Sequence, residues 1–120
     1  MSTTILVVDD SATVRQQIRL ALSPAGYQIV EASDGLQGLE MIRSRPDLAM
    51  VICDVNMPNM NGIEMLRNVA KEAHAVPVIM LTTEGNPALI RQARASGAKG
   101  WIIKPFNAEL LVRAVAKIAA

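Results

Sequence analysis

Apolar residues along this 120-residue chain gather in short, nearly continuous runs at 5–8, 27–30, 48–53, 76–81 and 100–103. Each run has strand length and little polar alternation, which predicts strands buried on both faces. Apolar positions recur at helical spacing near 12–22, 34–44, 62–72, 87–96 and 107–119, and that period predicts five helices. Ser11, Ser33 and Asn107 stand where N-caps belong, while Pro24 with Gly26, Pro46 and Gly97 fall just past helix ends. Strand and helix alternating five times predicts an α/β fold, a doubly wound parallel sheet with helices on both faces. Right-handed crossovers follow from chain chirality. No linker, repeat or low-complexity segment breaks the pattern, so 1–120 is expected to form one domain.

Composition narrows the partners. Hydrophobic residues make up 51% and charged ones 19%, a balance that supports a folded core. The net charge of +1 supplies no broad basic field for nucleic acid. No apolar run is long enough to span a bilayer, and MSTT opens no secretory signal, so a cytoplasmic protein is expected. Cys53 is the single cysteine, which excludes an internal disulfide and fits a reducing compartment.

The ends of the strands carry the chemistry. Parallel α/β sheets bind ligands beyond the carboxyl ends of their strands, near the point where strand order reverses. Strand one runs into Asp9 and Asp10, strand three into Asp54, strand four into Thr82 and Thr83, and strand five into Lys104. Strand two ends in Glu31, for which the sequence suggests no role. In a five-stranded sheet of order 2-1-3-4-5, these three carboxylates, the hydroxyl and the ammonium share one edge. Two unit charges 4 Å apart repel by about 4 kcal/mol at an effective dielectric of 20. Three converging carboxylates therefore need a cation or a raised pKa. Oxygen ligands without histidine or cysteine select a hard ion such as Mg²⁺. With Lys104 to meet an anion and Thr82 to donate, the set describes a carboxylate placed to attack phosphorus. Asp54, alone on the central strand, is the better nucleophile.

The segments VVDDS, CDVNMPNMNG, MLTTEG and GWIIKPF, in this order, resemble the receiver domain of two-component response regulators. The likeness spans essentially the whole chain and is greatest to single-domain chemotaxis members with a flavodoxin-like sheet. It implies that Asp54 is the phosphoacceptor, charged by a histidine kinase. It assigns Mg²⁺ to Asp9, Asp10, Asp54 and the backbone carbonyl of Asn56. Thr82 then becomes the switch hydroxyl and Lys104 the partner of the phosphoryl group, with a cis bond before Pro105. Asn56 and Glu84 occupy positions that tune water attack on the phosphoryl group. Trp101 replaces the Tyr or Phe whose ring swings inward on activation. Its bulk and its donor-only ring nitrogen predict incomplete inward burial, and an indole packed over the sheet edge is the alternative.

By the same resemblance the chain is a signalling switch rather than an enzyme, beyond self-catalysed phosphotransfer and autodephosphorylation. A monomer is expected, and its output is expected through a protein that binds the 86–119 surface, such as a flagellar motor switch or other motility component. A phosphorelay intermediate and a phosphorylation-independent binding module remain as alternatives. A flavin-binding protein is disfavoured because Asp9 and Asp10 would repel a phosphate. A dehalogenase-type phosphatase is disfavoured because Asn56 stands where its second Asp belongs. His74 and the basic residues Arg91, Arg94 and Lys99 read more simply as solvated surface, and Cys53, Met41, Met50 and Met80 as core. Met57 and Met60 are expected to be partly exposed.

Overall fold

The computed structural model describes residues 3–57, 59–71, 76–83 and 86–119. Five strands, β1 (Thr3–Val8), β2 (Tyr27–Ala32), β3 (Leu48–Asp54), β4 (Val78–Thr82) and β5 (Gly100–Ile103), form one parallel sheet. Their order is β2-β1-β3-β4-β5, the order that the family resemblance implies and under which the strand ends are grouped from the sequence. Strand alternation sends Leu6, Val8, Val51, Cys53, Val78 and Met80 to one face of the sheet. There they meet Leu39 and Ile42 of α2 (Gly35–Ser44), Ile63 and Leu66 of α3 (Gly62–Val69) and Ala93 of α4 (Pro87–Ala95). Ile5, Val7, Met50, Ile52, Ile79 and Leu81 point to the other face. They pack on Ile18 and Leu22 of α1 (Ala12–Leu22) and on Leu111 and Val115 of α5 (Ala108–Ala119). Both faces of the central strands are thus covered, which explains their unbroken apolar runs.

Several boundaries differ from the sequence reading. Ser33 does not cap α2. The Asp34 carboxylate does, accepting the Gln37 N–H at 2.8 Å, while Ser33 N–H and Oγ both donate to the Gln37 side chain at 3.0 Å. The chain reads S-D-G-L-Q here, and the acid three residues before Gln37 outcompetes the hydroxyl because it accepts as an anion near the helix start. Strand β2 runs on through Glu31 to Ala32, β4 starts at Val78 rather than 76, and α3 stops at Val69 rather than 72. Pro24 sits in a 3-10 turn (Ser23–Ala25), closed by Gly26 at φ 97°. Ser11 caps α1 as expected, and Asn107 Oδ1 accepts the N–H groups of Glu109 and Leu110.

Candidate functional site

Strand register brings the acids together. Val8 lies beside Cys53, so the residues that follow or end those strands, Asp9 and Asp54, are neighbours at the carboxyl edge. Single carboxylate oxygens of Asp9, Asp10 and Asp54 lie within 4.8 Å of one another. Asp9 and Asp54 are buried, at 1% and 6% exposure, whereas Asp10 is exposed. Lys104 Nζ reaches between the two buried acids, 2.9 Å from Asp9 Oδ2 and 3.4 Å from Asp54 Oδ1. Its backbone N–H donates to the Thr82 carbonyl at 2.7 Å, which fixes the start of the chain after β5 against the end of β4. The Lys104–Pro105 bond is cis.

The electrostatics follow from burial and sign. Desolvation first, then the charge of Asp9, pushes the Asp54 carboxyl above its usual range, against the pull of Lys104. Burial also works against the Lys104 ammonium, but the hydrogen bond to Asp9 and the field of Asp54 outweigh it and hold Nζ above its usual value. One ammonium among three carboxylates leaves an excess of negative charge. The donor set is all oxygen, with an exposed acid on the open side, and it fits a hard divalent ion such as Mg²⁺.

The loop after β3 is tightly closed. The Gly62 N–H donates to the Val55 carbonyl at 2.8 Å, and a methyl group at Gly62 would drive into the carbonyl oxygen of Asp54. Asn59 adopts the left-handed conformation at φ 67°, which short polar side chains tolerate. Its Nδ2 donates to Asp34 Oδ2 at 2.8 Å. The Gln37 backbone N–H and then this Asn59 bond hold the Asp34 carboxyl below its usual range.

The remaining sequence candidates divide. Thr82 is fully buried at the end of β4, and Asn56 and Thr83 are exposed. Trp101 pairs with Met80 in the sheet and lies half-buried against the α2–α4 face of the core. Its Nε1 is buried and finds no hydrogen-bond partner among the described residues. Glu84 and His74 lie outside the described residues. Cys53 is buried, and desolvation, then Asp54 and Asp9, push its thiol up, so it is an inert core residue. Met50 and Met80 are fully buried, Met41, Met57 and Met60 half-buried, and Arg91, Arg94 and Lys99 solvated.

Sequence reasoning missed Glu31. Its carboxylate receives Arg15 Nε at 2.9 Å and Arg19 Nη2 at 2.5 Å. The hydrogen bond from Arg19 holds it below its usual value, burial opposes, and Arg15 adds to the lowering. The sequence held only half of the signal: two arginines at i and i+4 on the first helix share one face, but nothing in their spacing names Glu31 as the partner.

Comparison with known proteins agrees with this geometry. Residues 5–116 match the model of the response regulator receiver domain. The chain is 38% identical over 110 residues to the chemotaxis protein CheY1 of Helicobacter pylori, covering 89% of each. Its fold superposes on the chemotaxis response regulator CheY4 of Vibrio cholerae with a TM-score of 0.91 at 36% identity, over 98% of this chain and 99% of that one. CheY in the CheX–CheY–BeF3–Mg²⁺ complex of Borrelia burgdorferi superposes with a TM-score of 0.93 at 28% identity, over 98% and 90%. Receiver domains bind Mg²⁺ at an acidic pocket, and they are signalling modules rather than enzymes of the ordinary kind. The match over nearly the whole chain and the acidic sheet edge lead to one conclusion: this chain belongs to the response regulator receiver domain family.

Proposed function

We propose that the chain is a single receiver domain over 1–120 that accepts a phosphoryl group on Asp54 from a histidine kinase and so changes its affinity for a partner protein. The observation that carries this reading is Lys104 Nζ lodged between the Asp9 and Asp54 carboxylates, beside an exposed third acid. In the transfer, an Asp54 oxygen attacks phosphorus, the P–N bond of the donor phosphohistidine breaks, and its electron pair returns to the imidazole. Asp9, Asp10, Asp54 and the Asn56 carbonyl would hold Mg²⁺, which, when bound, offsets the charge of the phosphoryl oxygens. Lys104 pairs with one of those oxygens and Thr82 donates to another. Asn56 and Glu84 tune the return attack by water.

Phosphorylation adds roughly −1.5 to −2 charge, and meeting it draws Thr82 and Lys104 toward Asp54. The chain after β4 then shifts, with Trp101 as the responding aromatic and 86–119 as the readout surface. The similarity to CheY proteins favours chemotaxis, with a motility protein as target. A phosphorelay intermediate is the second reading, since the site itself serves both. Acetyl phosphate or beryllofluoride with Mg²⁺ is expected to modify the wild type and leave Asp54→Asn untouched. Equal modification of both proteins would sink the assignment. Without Mg²⁺, Asp54→Asn should also unfold at a higher temperature than the wild type. The raised Asp54 pKa means that its ionisation opposes folding at neutral pH, and the amide removes that cost.

A further inference from the structure

The two adjacent acids after β1 are held very differently. Every hydrogen-bonding group of Asp9 has a partner. Its N–H donates to the Ala32 carbonyl at 3.1 Å, its carbonyl accepts from Arg15 Nη1 at 2.6 Å, Oδ1 accepts the Ser11 N–H at 2.9 Å, and Oδ2 meets Lys104. Asp10 is exposed. Among the described residues, the side chain outside the acidic cluster and its lysine that holds Asp9 is Arg15. It lies in the second turn of α1 with its side chain only 17% exposed. The same guanidinium donates Nε to Glu31 Oε1 at 2.9 Å. Glu31 is braced in turn by Arg19, whose Nη2 also donates to the Ile29 carbonyl at 3.3 Å.

We propose that Arg15 is a positioning residue for the metal site, a fork that ties the peptide of Asp9 to Glu31 on the β2 edge. The inference rests on the Mg²⁺ reading above. Guanidinium suits the task because it presents several donors in one rigid plane, whereas an ammonium is a point charge on a flexible stem. Mg²⁺ demands near-octahedral oxygen geometry, so a wandering ligand peptide weakens binding. Partners behind the direct ligands commonly contribute about 10–100-fold in metal affinity.

Charge and position predict opposite signs here, which makes the proposal testable. A guanidinium beside a cation site repels the cation, so if Arg15 acted through charge alone, its removal would tighten Mg²⁺ binding. A positioning role predicts the reverse. Mg²⁺ alone is titrated by calorimetry into the full chain, with Trp101 emission as a second readout and thermal unfolding recorded without metal. Arg15→Met should raise the Mg²⁺ Kd by about tenfold. Arg15→Lys should recover part of that loss, and Glu31→Gln, which frees the guanidinium, should raise Kd by a smaller factor. The last two variants carry the test if Arg15→Met fails to fold, and an unchanged Kd in both then overturns the proposal. An unchanged or lower Kd in a folded Arg15→Met protein, whatever its unfolding temperature, also overturns it. If the wild type itself shows no Mg²⁺ binding by either readout, the metal reading fails and this inference falls with it.

Discussion

The two edge strands of the sheet flank the same acidic centre and are built on opposite principles. At the β2 edge, Glu31 is clasped by two arginines, one of which reaches the Asp9 carbonyl and the other the Ile29 carbonyl. At the β5 edge, Trp101 buries an N–H that has no partner among the described residues, and Ile103 and Leu110 stand 44% and 60% exposed around a surface pocket of about 400 Å³. Charged hydrogen bonds have one good geometry, so the first edge is fixed. At the second edge the indole has no hydrogen bond to break among the described residues, so a change in its packing gives up less polar interaction than a change at the first. The proposed switch would need both: ligands that stay where an ion expects them, and a flank that can answer a new charge at Asp54.

Hydrogen exchange offers the largest contrast. Saturating beryllofluoride with Mg²⁺ is expected to change amide protection across 100–107 by about tenfold, a coupling of ordinary size for such switches. Over 27–32 the change should stay below about twofold after correction for the overall gain in stability. Equal changes at both edges would break the comparison outright.

A smaller effect is expected from Trp101→Phe. The orphaned indole N–H costs about 1–3 kcal/mol where it lies. Removing it offsets most of the apolar burial that the smaller ring forgoes. The variant should therefore differ from wild type by less than about 1 kcal/mol in urea unfolding. A destabilisation above about 3 kcal/mol, the usual cost of breaking a well-packed aromatic site, would make Trp101 a fixed part of the core.

How far the sequence carries depends on the kind of relation involved. The sheet was legible because its central strands are buried on both faces, and only unbroken apolar runs satisfy that. The grouping of Asp9, Asp10, Asp54, Thr82 and Lys104 was legible because a parallel sheet puts all its strand ends on one edge, and the order 2-1-3-4-5 makes the ends of β1, β3, β4 and β5 a contiguous row. Arg15 and Glu31 were not, since a charged pair between a helix face and an edge strand looks, in sequence, like two solvated side chains. Asp34 and Asn59 were missed for a related reason. Their bond joins the start of α2 to the loop after β3, and its geometry depends on a left-handed residue that no periodicity announces. The Trp101 donor lies between: its chemistry was foreseen, but its lack of a partner is a property of the packed site.

The smallest expected effect probes the fixed edge. Glu31 is held below its ordinary value near 4.5, first by the hydrogen bond from Arg19 and then by Arg15, with burial opposing. A carboxyl with a lowered folded pKa stabilises the fold above its unfolded value and loses that contribution as pH falls through the folded one. Its side chain is about one-third exposed, so screening keeps the pair to about 1 kcal/mol or less. Glu31→Gln should thus be slightly less stable than wild type at pH 7. The gap should shrink as pH falls from about 5 toward 3, as the carboxyl protonates, and at high salt it should narrow at every pH. Urea titrations of the two proteins at matched pH measure it directly. A gap that persisted undiminished at pH 3 would assign the stabilisation to shape rather than charge, and the β2 edge would then be fixed for a different reason than its ion pairs.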